Sequence, residues 1–256
     1  MNNDSSTEMY ALWEQYNRVR VAGAKKQANQ ILDTFLKCFK DQTPEVKATF
    51  VEKVCSKLLD PITDDTTYNG HYLCTNGVQV SDLPIRIQFP LFRDAILPEL
   101  IRRFNIHDAR AIRWIGQLEQ FFYANQELWQ DTCAELDLPF PVGSMFFFKR
   151  SFAIKPEQTT LRMIIKTYAM NLSYDCHHMP DGILCEPEQM NQTIADARNY
   201  WNQLEASPIK DEWNECLGVY ERIAASWDDY CTHRFLYDNF EHYLAKNKIE
   251  WVGRQY

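Results

Sequence analysis

Apolar residues recur along most of the chain at spacings of three and four, the period of an amphipathic α-helix. Met9, Leu12, Trp13 and Tyr16 share one helical face, and Ser5-x-x-Glu8 reads as a capping box at its start. After Gly23, the residues Ala28, Ile31, Leu32, Phe35 and Phe39 form a second stripe. Thr43-Pro44 predicts an N-cap followed by proline at the first helical position. Phe50, Val51, Val54 and Leu58 carry that third helix to Asp60-Pro61.

Residues 60–90 change character. Tyr68-Asn69-Gly70 and Thr75-Asn76-Gly77 are turn signals, and the second predicts a small hairpin pairing His71–Cys74 with Val78–Val80. Helix resumes over Leu91–Phe104, with Pro98 expected to kink it or to mark its true first turn. His107-Asp108 opens the next helix, and another spans Gln126–Leu136 before Leu138-Pro139-Phe140-Pro141-Val142-Gly143 breaks the pattern. Further stripes follow Pro156, Pro187 and Pro208. The last continues from Trp213 to Leu244 without Gly or Pro after Gly218, as one long helix or as two parted near Asp228-Asp229.

These stripes predict an all-α fold, an irregular stack of antiparallel helical hairpins of about ten helices with a small β or irregular insert near 62–90. The 256 residues fit one helical domain, with the break at Leu138 separating candidate subdomains 1–137 and 138–256. No unit repeats at a fixed period, so a regular solenoid is not expected. With 8 Gly, no Walker loop and no G-x-G-x-x-G, a doubly wound nucleotide-binding fold is not expected either. No apolar run reaches the roughly 20 residues of a membrane span, and the opening residues lack a secretory pattern. Eight irregularly spaced cysteines read as reduced thiols in a cytoplasmic protein.

Charge separates the chain into unequal parts. Residues 1–60 carry nine Lys and Arg against eight Asp and Glu, residues 61–155 nine against eleven, and residues 156–256 nine against sixteen. Most of the formal net charge of −8 therefore lies in the last stretch. Asp211, Glu212 and Glu215 fall outward of the stripe Trp213, Cys216, Leu217 and Tyr220, and Asp228 and Asp229 follow on the same segment. An acidic helix of this kind suits a basic protein surface. The aromatic series Trp201, Trp213, Tyr220, Trp227, Tyr230, Tyr237, Phe240 and Tyr243 has the spacing of core.

Two other segments carry chemistry-bearing residues. Asp175-Cys176-His177-His178-Met179-Pro180-Asp181-Gly182-Ile183-Leu184-Cys185 has thiols, imidazoles and carboxylates suited to zinc or to hydrolysis, though without the ligand spacing of a known zinc site. Arg86, Arg93, Arg102, Arg103, Arg110 and Arg113, with Phe104 and Trp114 among them, could hold phosphates or stacked bases. The reading favoured by the charge is a non-enzymatic cytoplasmic protein-binding module. Its sharper form is an acidic inhibitor or immunity-type protein for a basic partner such as a nuclease toxin, docking through Asp211, Glu212, Glu215, Asp228 and Asp229. No catalytic residue, metal or cofactor is assigned, and membrane binding is not expected. The alternatives are a metal-assisted hydrolase using the 175–185 loop and a nucleic-acid-associated protein using Arg86–Arg113.

Overall fold

Helix boundaries fall where side chains satisfy the open backbone donors of a first turn. In the computed structural model, which describes residues 3–60, 66–68, 73–75 and 87–249, Thr43 accepts from the Val46 amide at 3.5 Å and Pro44 opens the helix behind it. Asp108 accepts from the amides of Arg110 and Ala111 at 3.0 and 3.1 Å, and Ser207 from that of Lys210 at 3.3 Å. The capping box at Ser5 does not form. Helix α1 (Asn3–Val21) begins before Ser5, and the Ser5 hydroxyl instead accepts from Gln42 Nε2 at 2.7 Å.

The all-α class holds. After α1 come α2 (Lys25–Lys40), α3 (Pro44–Leu58), α4 (Phe89–Leu91), α5 (Leu97–Asn105), α6 (Ala109–Gln117), α7 (Gln120–Tyr123) and α8 (Gln126–Glu135). The series continues with α9 (Ser144–Ile154), α10 (Gln158–Asp175), α11 (Pro187–Trp201), α12 (Pro208–His233) and α13 (Phe240–Lys246). The insert holds a two-stranded antiparallel hairpin, β1 (Thr66–Tyr68) with β2 (Leu73–Thr75), in the register Thr66↔Thr75 and Tyr68↔Leu73. The strand that pairs with Leu73–Thr75 therefore precedes it, at Thr66–Tyr68, instead of following it. Val78–Val80 lie outside the described residues.

The chain divides into two compact units, Met1–Thr63 with Val78–Lys155, and Asp64–Gly77 with Pro156–Tyr256. The break at Leu138–Gly143 joins α8 to α9 inside the first unit, and the units part at Lys155–Pro156 rather than at 137/138.

In the first unit, α1, α2 and α3 interlock through rings. Trp13 meets Phe35 at 5.6 Å and Phe50 at 5.2 Å, and Phe35 meets Phe50 at 5.0 Å. Burying one such side chain stabilises the fold by about 1.5–3 kcal/mol. Pro98 sits in the first turn of α5, as its ring and missing N–H require, and the turn ahead of it, Phe92–Ile96, widens to a π-helix. Helix α9 was not legible in the periodicity, because Met145, Phe146, Phe147 and Phe148 are consecutive and hide the stripe. It packs tightly on α6 at Gly116, where a Cβ would stand 2.7 Å from the Phe148 ring.

In the second unit, α10, α11 and α12 alternate in direction. Gln158 at the start of α10 clips the α11–α12 connection, accepting from the Glu205 amide at 3.0 Å and donating to the Gln203 carbonyl at 3.4 Å. At the opposite end, the Trp227 indole of α12 donates to the Cys185 carbonyl in the α10–α11 loop at 3.0 Å. The hairpin adds β1 against α12 and β2 against α10. Helix α12 is continuous through Asp228-Asp229 and stops at His233, followed by a 3₁₀ turn, Arg234–Leu236. The next helix restarts at Asn239, whose side chain accepts from the His242 amide at 2.8 Å.

Candidate functional site

The described arginines of the 86–113 cluster are paired with carboxylates of the first unit and do not form an open basic patch. Arg103 and Arg110 lie on neighbouring helices, and both reach Glu52 of α3, Arg110 at 2.5 Å. Asp60, just past α3, accepts from Arg110, from Arg113 at 2.8 Å and from the Trp114 indole at 2.8 Å. Arg103 also holds Asp108 at 2.8 Å. Burial pushes the Asp108 carboxyl up, but the Ala111 amide, the Arg103 guanidinium and the Arg110 amide hold it below its ordinary value. Arg93 forks onto Asp94 and Arg102 onto Glu99. The rings available for base stacking are already occupied. Arg103 and Arg110 lie 5.3 and 4.9 Å from the Trp114 ring, and Arg150 lies 4.4 Å from Phe104. Arg86 lies outside the described residues. The pairing partners, Glu52 and Asp60, were missed in the sequence because about fifty residues separate them from the arginines.

A surface cavity of 250 Å³ lies beside the π-helical turn, lined by Phe39, Lys47, Asp94, Pro98, Glu99 and Arg102 among others. Its polar lining is largely satisfied within the protein. Both carboxylates are forked by arginines, and Lys47 donates to the Lys40 carbonyl at 2.7 Å.

The 175–185 loop closes on itself. The Leu184 amide donates to the Asp175 carbonyl at 2.9 Å, and His177 Nδ1 is turned onto the Tyr174 carbonyl with its ring stacked on Tyr174. Cys176 and Cys185 are buried. Burial pushes the Cys176 thiol up to about 12, with Cys185 and Asp175 adding to it. Cys185 is likewise pushed up to about 12, by burial and then by Asp175. Both are therefore held as protonated thiols at neutral pH. Among the described residues, no three His, Cys, Asp or Glu side chains are grouped to hold a metal ion. Cys38, Cys55, Cys133, Cys176, Cys185, Cys216 and Cys231 are free, and no described helix is long and apolar enough to cross a membrane.

Helix α12 carries the acidic candidates. At 3.6 residues per turn, Asp211, Glu215, Arg222 and Asp229 fall along one line, opposite buried Trp213, Cys216, Tyr220 and Ala224. Asp211, Glu215 and Asp228 are exposed and have no ion pair among the described residues. Asp229 accepts from the Tyr243 hydroxyl at 2.8 Å and lies 3.1 Å from His233. Glu212 differs from its expected outward placement. It sits at the shoulder of the helix, about 100° from Trp213, half-buried, with its Oε2 enclosed and without a hydrogen-bond partner. Glu221 is neutralised by Arg198 of α11 at 2.7 and 3.0 Å, which holds its carboxyl below the ordinary value.

No family model, curated protein or solved structure matches the chain. Its functional reading rests on its own residues. Divided by unit, the first carries eighteen Lys and Arg against seventeen Asp and Glu, and the second nine against eighteen. Their net charges are +1 and −9.

Proposed function

We propose that the protein is a non-enzymatic protein-binding module whose second unit presents an acidic surface to a basic partner. The supporting observation is the exposed side of α12, where Asp211 and Glu215 on the outer line and Asp228 beside it stand exposed without an ion pair among the described residues. Carboxylates left unpaired at a surface raise a field that steers a basic protein into encounter. A nuclease has such a surface, because it must bind a polyanion. An inhibitor or immunity-type role is therefore the concrete form of the proposal. Unpaired thiols fit a reducing, cytoplasmic setting.

The test is association kinetics with a basic partner captured from the native host and then purified. Association should be fast at low salt and slow steeply as ionic strength rises, because screening contracts the Debye length to about 8 Å at physiological salt. The variant Asp211→Lys/Glu215→Lys/Asp228→Lys should slow association at least about tenfold with little change in dissociation. Glu212 is left intact, because its enclosed oxygen would confound binding with folding. An acidic partner, or a variant that associates as fast as the parent, would overturn the reading.

A further inference from the structure

Helix α12 is longer than the helices it packs with. It has 26 residues, against 18 in α10 and 15 in α11. The indole bond from Trp227 to Cys185 marks where α12 passes the α10–α11 loop, and the helix runs on to His233, roughly 9 Å further. Helix α13 folds back against this overhang. Phe240 and Tyr243 are buried, and the Phe240 ring meets Trp227 at 5.0 Å and Tyr230 at 5.2 Å. The Tyr243–Asp229 bond pins the two together. Burial and Asp229 push the Tyr243 hydroxyl up to about 12, so it remains a donor at physiological pH.

This rigid aromatic cluster holds out two apolar side chains. Phe235 is 80% exposed and Leu236 is 53% exposed, side by side in the 3₁₀ turn that ends α12. Tyr174 and Leu184 are also exposed at the end where α10 stops and its loop begins. Their surroundings are acidic. Across 181–188 and 228–248, the segments that build this end, seven Asp and Glu stand against three Lys and Arg. The cations are Arg234, Lys246 and Lys248, while His233 and His242 each sit 3.1 Å from an aspartate. An apolar centre with a charged rim is the anatomy of a protein interface. The sign of the rim disfavours a second copy of this chain or an anionic membrane as the occupant, and favours a cationic one.

We propose that the overhanging end of α12 is the docking point for the basic partner: Phe235 and Leu236 enter an apolar recess or pack on an apolar face while the surrounding carboxylates meet cations. This rests on the acidic-surface reading and adds an anchor that charge alone does not supply.

The probe is a labelled synthetic helical peptide of 18 residues, roughly that length, with Lys on one face and Leu on the other, titrated into the full chain by fluorescence anisotropy. One control replaces every Leu with Gln at the same charge, and another replaces every Lys with Glu. The Lys–Leu peptide should bind at least about tenfold tighter than the Lys–Gln peptide, about one decade in Kd. Phe235→Ser/Leu236→Ser should remove that margin, while Phe235→Trp and the exposed-site change Val21→Ser in the first unit should keep it. An unchanged circular dichroism spectrum and melting temperature would show that the double variant still folds. Equal, salt-dependent binding of both Lys peptides, or a margin that survives the double variant, overturns the anchor and leaves the acidic reading standing. Equal binding of the Glu–Leu peptide overturns the charge reading as well. Sedimentation of the full chain as a dimer that Phe235→Ser/Leu236→Ser dissolves would assign the surface to a second copy and overturn the proposal.

Discussion

The two units hold almost the same number of carboxylates, seventeen and eighteen, and the set around α3, α5 and α6 is used in the opposite way to the set on α12. In the first unit Glu52, Asp60, Asp94, Glu99 and Asp108 all face arginines, and the charge becomes internal framework. In the second unit Glu221 has Arg198, but Asp211, Glu215 and Asp228 face water. The difference lies in the cations within reach: Arg93, Arg102, Arg103, Arg110 and Arg113 meet the first set, and no arginine or lysine pairs with those three residues of the second among the described residues. A count of acidic residues therefore says little about whether a surface is acidic. What decides it is whether the fold brings an arginine within reach.

That contrast is most sharply tested at Asp60. Asp60→Ala removes the carboxylate that serves Arg110, Arg113 and Trp114, and Arg113 and Trp114 are buried. Leaving a buried guanidinium without its carboxylate costs about 3–5 kcal/mol, so urea unfolding should shift to a clearly lower midpoint. A loss as small as that of Asp211→Ala would mean the network is ornamental. Next in size is Gly116→Ala, where the new methyl meets the Phe148 and Phe147 side chains at 2.7 and 3.1 Å. Overpacking of this kind costs about 1–3 kcal/mol, and calorimetry should show a lowered melting temperature.

Acid should separate Asp108 from Asp175 by sign. Asp108 titrates lower in the folded chain than in the unfolded one, so its contribution is complete above about pH 3.9. It is lost as pH falls through the lower folded value. Asp175 in the second unit is pushed up by burial, so protonating it relieves the fold. Hydrogen exchange corrected for intrinsic rates should show the first turn of α6 losing protection as pH falls below about 3.9, while the last turn of α10 does not. The reverse order would break the comparison. The smallest expected effect is on the stability of Asp211→Lys/Glu215→Lys, within about 0.5 kcal/mol per site. Relief of like-charge repulsion is absent there if the variant gains nothing at low salt.

Local signals carried most of the fold. Thr43, Asp108 and Ser207 cap helices as their residue types require, and Met190, Ile194 and Ala197 are buried at the spacing that marked them. What local reading missed was set by non-local or unpunctuated chemistry. The end of α12 has no Gly or Pro to announce it, and the restart depends on one Asn239 side chain. The arginines looked like a ligand surface because their partners come from α3 and Asp60, distant in sequence. At the candidate site, periodicity placed Asp211 and Glu215 on the exposed face of α12, but not the half-burial of Glu212, which depends on what packs at the helix shoulder.

The hairpin β1–β2 belongs to the second unit although it precedes most of the first unit in the chain. During synthesis it leaves the ribosome long before α10 and α12, the helices it packs against. At about 5–20 residues per second, the delay until α12 is made is roughly 10–30 s. A two-stranded hairpin is marginal in water until something covers it. The second unit therefore cannot be completed as an independent late arrival, and a fragment beginning at Pro156 lacks a piece that was translated first.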